Sequence, residues 1–216
     1  MKSVVAQPRP ETKKKVASPK AAKKKSDVTR QRVLEATAEL FRTNGYLATS
    51  MRDIAGALGM KSGSLYYYYD SKEALLAAIL NDAIDAHISA MKAALEALPA
   101  GASARQKFDA AVEVSVKMIW ASGDMAVAST QTLSFLQEPE YSEQVRHRQA
   151  YNQFWRDLIE EGKRNGEIRK DFPDAVASMV IVGALTFVAE WYDPQRATTH
   201  EIGALFSRLL FEGMRA

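Results

Sequence analysis

Residues 45–75 read GYLATSMRDIAGALGMKSGSLYYYYDSKEAL. Gly45 supplies a left-handed stop for a helix arriving from about Asp27. Ser50-Met51-Arg52-Asp53 has capping-box form: Ser50 and Asp53 satisfy each other's backbone donors and open a short helix with inner face Ile54, Ala55 and Leu58. Gly59 ends it, and a tight turn through Met60 and Lys61 leads to a third helix, about Ser62 to Tyr69. Asp70 breaks that helix, and Ser71 caps a long fourth one with Glu73 in its first turn. Two short helices joined by a glycine turn and braced by longer ones are the geometry that lays a recognition helix in a DNA major groove.

The third helix has two chemically different sides. At 100° per residue, Leu65, Tyr68 and Tyr69 fall on one, where they can pack on Val33, Phe41, Ile54 and Leu58. Gly63, Ser64, Tyr66 and Tyr67 fall on the other. Glycine lets backbone approach DNA closely, and serine and tyrosine hydroxyls donate to phosphates or base edges. Lys72 follows at the start of the fourth helix, in position to pair with a phosphate. The alternative for the tyrosine run is a plain aromatic core patch, which leaves half of it with nothing to face.

Gly45-Tyr46, Ala48-Thr49-Ser50-Met51-Arg52-Asp53-Ile54-Ala55, Gly63-Ser64-Leu65-Tyr66-Tyr67 and Ser71-Lys72-Glu73-Ala74-Leu75 occur in order, at spacings that closely resemble the DNA-binding domain of TetR-family regulators. The resemblance runs from about Thr29 to Leu80. It implies that Thr49, Ser50, Ser62, Gly63, Ser64, Tyr66, Tyr67 and Lys72 contact double-stranded operator DNA. The sequence departs from the family pattern at Lys61-Ser62 (usually Ser-Lys), at Tyr68-Tyr69 (usually His-Phe) and at Asp70 (usually Pro or Asn).

Upstream, residues 1–26 hold nine Lys or Arg against one acid, a local +8; the formal total is +3, so residues 27–216 sum to −5. The basic character belongs to a tail, expected to be disordered because it has almost no large apolar side chains. Such a tail follows phosphates, or it merely solubilises. No apolar run approaches the roughly 20 residues of a membrane span. With no signal-peptide stretch and no cysteine, the chain is expected in the cytoplasm, without disulfides or thiolate sites.

Downstream the pattern stays helical. Leu98-Pro99-Ala100-Gly101 is a loop, and Ser103 with Gln106 forms a second capping box opening a helix to about Ala121. Further helices are expected over 126–136, 141–164 and 173–191, with a last one opened by Thr198 or Thr199 and ending near Met214. The fold class is therefore all-α, about nine helices. A disordered tail (1–26) precedes a helix-turn-helix domain (27–72) and a helical ligand-binding and dimerisation domain (73–216).

For that last domain the family resemblance implies a ligand pocket, with the final two helices forming a homodimer. The apolar spacing of Ile202, Leu205, Phe206, Leu209, Leu210 and Gly213, and of Val180, Gly183, Ala184 and Phe187, is consistent with such a seam. Gly183 to Phe187 with Glu190 to Pro194 resembles the C-terminal segment of regulators responding to acyl-CoA thioesters in fatty-acid and sterol breakdown. A small hydrophobic effector is thus expected, against Trp120, Phe135, Tyr151, Trp155, Phe187 and Trp191, with Arg148 (and Arg146) toward CoA phosphates. Each aromatic also reads as ordinary core, and each arginine as a solvated face. A ligand-free architectural DNA-binding protein and a drug-efflux repressor stay open as alternatives. The residues favour no enzyme: His87, His147 and His200 are scattered, and no metal or cofactor motif occurs.

Overall fold

The computed structural model describes residues 19–122 and 135–216, with side chains from Thr29 onward. Among the described residues there are nine helices: α1 (Pro19–Asn44), α2 (Met51–Ala57), α3 (Ser62–Tyr66), α4 (Lys72–Glu96), α5 (Ala104–Ser122), α6 (Glu140–Arg164), α7 (Asp174–Thr186), α8 (Val188–Trp191) and α9 (Thr199–Met214). The chain is all-α.

The helix ends follow from local chemistry. Ser50 and Asp53 exchange bonds at the start of α2. Ser71 accepts from the Ala74 amide at the start of α4, and Thr198 forms a second box with Glu201. Ser103 and Gln106 do the same before α5. Each cap satisfies amides that the first helical turn leaves without partners. Gly45 and Gly59 take positive φ (83° and 63°), a backbone region that side-chain-bearing residues rarely adopt.

Four boundaries differ from the sequence expectation. α1 begins at Pro19, not Asp27, and so takes in 19–26 of the expected disordered tail; residues 1–18 lie outside the described residues. Lysine and alanine are good helix formers, proline fits the first position, and extending a nucleated helix is cheap. α3 stops at Tyr66, where the Tyr68 amide tightens onto the Leu65 carbonyl three residues back. The expected helix at 126–136 lies mostly outside the described residues, and Leu136 at its end is not helical. The expected 173–191 helix is broken at Phe187 into α7 and α8; no glycine or proline marks the break.

Among the described residues two hydrophobic cores result. The first joins Val33, Phe41, Ile54, Leu65, Leu75, Leu76 and Leu80 from α1 to α4. The second joins Met91, Phe108, Val112, Val116, Trp155, Ile159, Leu185 and Phe211 from α4, α5, α6, α7 and α9. Each fully buried Leu or Ile contributes roughly 1.5–3 kcal/mol. Helix α4 belongs to both. By length and composition it is apolar enough to cross a bilayer, but Leu75, Leu76, Ile79, Leu80 and Met91 are buried within the protein. The first core reaches Leu80, so it continues past the expected boundary at residue 72.

Candidate nucleic-acid interface

Helices α2 and α3 are joined by a Schellman-type turn. The Met60 amide bonds the Ala55 carbonyl at 2.9 Å and the Gly59 amide bonds the Gly56 carbonyl at 3.0 Å. This fixes the angle at which α3 leaves. Leu65 (0% exposed) and Tyr69 (7%) anchor α3 and its exit turn in the first core, with Tyr68 partly buried beside them. The Arg30 guanidinium lies 5.6 Å from the Tyr69 ring centroid. On the other side Gly63 and Ser64 are exposed, as are Tyr66 (48%) and Tyr67 (83%). Ser62 is partly exposed at the helix start. The tyrosine run is therefore split as its helical phase requires.

Two expected contact residues are placed elsewhere. Thr49 is 2% exposed, and its hydroxyl donates to the Gly45 carbonyl at 2.9 Å. It closes the loop after α1 and is not presented. Lys72 is turned back into the protein: its Nζ donates to the carbonyls of Tyr46 (2.9 Å) and Thr49 (3.0 Å) and lies 4.2 Å from the Tyr46 ring centroid. The Tyr46 hydroxyl in turn donates to Glu73 at 3.0 Å. Burial and the Glu73 carboxylate push the Tyr46 phenol well above its ordinary value. Ser50 is exposed, with its hydroxyl 2.6 Å from the Asp53 carboxylate. Those bonds from Ser50 hold Asp53 below the usual carboxylate range. Arg52 on α2 and Lys61 before α3 are exposed cations that the motif reading left without a role; the helical phase of α2 is the signal that marks Arg52.

Among the described residues, the expected effector residues fall in several different surroundings. Trp155 is wholly buried against Phe108 and Phe154. Tyr151 packs beside it with ring centroids 6.4 Å apart. Trp120 sits edge-on to Tyr192 at 4.7 Å, and Trp191 is stacked on Phe206 at 5.9 Å, both tryptophans partly exposed. Phe135 lies 5.5 Å from Tyr46, in the DNA-reading half. Arg148 and Phe187 meet in an open cleft of about 370 Å³ between α6 and α7, beside Asn152, Met179 and Val182. Aromatic residues fill cores and line pockets alike, so their presence alone could not separate the two.

His87, Ser115 and the expected effector residue Tyr151 form a polar group beside the second core. His87 Nε2 is 3.0 Å from the Ser115 hydroxyl, which donates to the Ala111 carbonyl at 2.8 Å. The His87 ring is 5.0 Å from the Tyr151 ring. Burial lowers His87 to about 4 and raises the Tyr151 phenol. This trio, drawn from α4, α5 and α6, offers neutral hydrogen-bonding groups in apolar surroundings.

A recognition helix held on a three-helix core, followed by a larger helical body, defines a helix-turn-helix regulator. The sequence signature of bacterial regulatory proteins of the tetR family matches residues 33–79, and that of the Tetracyclin repressor-like C-terminal domain matches residues 101–214. The chain belongs to the TetR family of DNA-binding transcriptional regulators. It is 28% identical over 171 residues to the transcriptional repressor KstR2 of Rhodococcus jostii, covering 79% of this chain and 82% of that protein. Among solved structures, a TetR/AcrR-family regulator from Thermobifida fusca is 30% identical and superposes with a TM-score of 0.68 over 87% of this chain and 99% of its own. The fold is shared with AibR, solved in complex with isovaleryl coenzyme A and operator DNA (TM-score 0.70, 22% identity, 84% of this chain and 97% of that one).

Proposed function

We propose that the chain acts as a homodimeric repressor that reads a two-fold symmetric operator through α3 and is released by an acyl-CoA thioester. The observation that carries the reading is the outward presentation of Gly63, Ser64, Tyr66 and Tyr67 from a helix whose other side is buried. Those four, with Ser62, meet bases and phosphates in the groove, while Arg52 and Lys61 take flanking phosphates. Ser50 contributes at the same edge, whereas Thr49 and Lys72 hold the loop that positions α2.

An exposed apolar face supports the dimer. Val176, Met179 and Val180 on α7 and Leu205 and Leu209 on α9 are all at least 40% exposed; Val176, Val180 and Leu209 line one apolar cleft, the kind of surface that a partner covers. The basic N-terminal residues add sequence-independent attraction to phosphates. The protein works by binding rather than turnover, in the cytoplasm where the operator lies.

The relatives and the interior chemistry support the effector class. KstR2 is a repressor, and AibR holds isovaleryl coenzyme A. His87, Ser115 and Tyr151 supply hydrogen bonds without charge, which suits a thioester carbonyl and penalises a free carboxylate. Arg146 and Arg148 on α6 are the cations assigned to the CoA phosphates.

The test is selection of an operator from random duplexes, followed by anisotropy titration with isovaleryl-CoA and with free isovalerate. A palindromic site bound by a dimer and released by the thioester alone is expected. Sequence-indifferent, strongly salt-dependent binding that no thioester reverses would replace the repressor with an architectural protein.

A further inference from the structure

A cleft of about 350 Å³ lies where the DNA-reading half meets the larger body, between α4 and α6. One wall carries Asp82 and Asp85 of α4, and the other carries Glu140 and Glu143 of α6. Among the described residues Arg30 is the one permanent cation lining it, and that guanidinium is drawn over the Tyr69 ring. His147 faces Asp85, with Nδ1 2.8 Å from the carboxylate oxygen. Four carboxylates against one guanidinium leave the cleft strongly negative.

Asn81 points to an occupant independently of that charge. It lines the same cleft and is 6% exposed, and its Oδ1 has no hydrogen-bond partner among the described residues. A buried acceptor left in this state bears its whole desolvation cost. Carboxylates and an amide oxygen are all acceptors, so the complementary ligand is a cation rich in N–H donors. A bare metal ion does not fit: among the described residues no three His, Cys, Asp or Glu side chains are grouped to hold one. The charge is instead divided between two facing walls. Ala74, Ala77 and Ala78, one to two turns before Asp82 on α4, add apolar lining at one end of the α4 wall.

We propose that this cleft binds a small aliphatic diamine. One ammonium head meets Asp82 and Asp85 and the other meets Glu140 and Glu143. The methylene spacer crosses the gap between the two walls, and one head donates to Asn81 Oδ1. The site is separate from the interior trio assigned to the effector, and it stands or falls independently of that assignment. A bound diamine would join α4 to α6 at the base of the DNA-reading half.

The experiment is calorimetric titration of putrescine into the full-length, DNA-free protein at constant ionic strength. Saturable binding of one putrescine per chain is expected. Asp82→Asn with Glu143→Gln should weaken it by about tenfold or more, the scale of one lost charge-assisted hydrogen bond. Glu140→Gln provides a second, single-site variant with a loss in the same direction, and native thermal unfolding confirms that each variant folds. Glu160→Gln, on the exposed part of α6, should change nothing, and butylamine, with one head, should bind more weakly than putrescine. Absence of saturation at millimolar putrescine, equal weakening by Glu160→Gln, or binding of magnesium at these carboxylates in place of the diamine would each overturn the assignment.

Discussion

Lys72 Nζ lies 2.9 Å from the carbonyl oxygen of Tyr46, across 26 residues of sequence. With the second bond to Thr49 and the ring contact, it clamps the loop between α1 and α2 to the start of α4. The family resemblance assigns this lysine to a phosphate; in the DNA-free structure its ammonium is bonded within the fold.

The two roles separate experimentally. Lys72→Met should lower stability by about 1–3 kcal/mol, the range for losing charge-assisted hydrogen bonds. Operator affinity falls with it, because α2 is no longer held. The slope of log K against log salt should stay as in the wild type, whereas a lost phosphate contact would reduce it by roughly one unit. A shallower slope with unchanged thermal stability would return Lys72 to the DNA.

Gly63 gives the converse case. A Cβ built there meets no atom within 4 Å, so the fold does not require the glycine. Gly63→Ala should keep or raise stability, since alanine gains roughly 0.5–1 kcal/mol over glycine in a helix. Operator binding should nonetheless weaken by about tenfold or more, the scale of one lost groove contact. Tyr66→Phe, which removes only a hydroxyl, should cost about 1–3 kcal/mol of binding. Chemical denaturation alongside anisotropy measures both, and undiminished operator affinity in both variants would remove α3 as the reader.

These two residues show what was legible in the sequence. The caps at Ser50, Ser71, Ser103 and Thr198 depend on partners three residues away, so spacing alone reveals them. The outward face of α3 follows from helical phase. The partners of Lys72 lie 26 and 23 residues back, and no local pattern encodes them. Trp155 and Trp191 share a residue type, yet one is fully buried and the other 47% exposed. What separates them is which helices pack on which, a tertiary fact. Tyr151 is expected against an effector, but its meeting with His87 and Ser115 is not legible for the same reason, since the three come from three helices.

His87 makes stability depend on pH. Burial holds it at about 4, below its ordinary 6.5, so the unfolded chain binds the proton more readily than the folded one. The stability tied to the neutral ring is present above about pH 6.5 and is lost as pH falls toward 4, approaching roughly 3 kcal/mol across that window. His87→Gln should flatten this part of the curve. Urea unfolding of both proteins at pH 7 and pH 4.5 measures it, and parallel losses in the two would place the acid sensitivity elsewhere.

The last prediction concerns how effector and operator communicate. Helix α4 has 25 residues and is therefore about 37 Å long. Its first turns are fixed in the reading core by Leu75 and Leu76 and carry the Lys72 clamp. Its later turns carry His87 and Met91 into the second core. A thioester inserted beside His87 and Ser115 has to displace packed side chains there, and a rigid helix carries that displacement to the other end. Two half-sites one helical turn apart require recognition helices roughly 34 Å apart, so a small tilt in each protomer is enough to spoil the match. Linkage then requires that operator DNA weaken the thioester by the same factor by which the thioester weakens operator, about fivefold or more for typical couplings. Titrating isovaleryl-CoA into the free protein and into the operator complex measures that factor directly. Equal affinities in the two titrations would mean that α4 transmits nothing, even with both sites occupied as proposed.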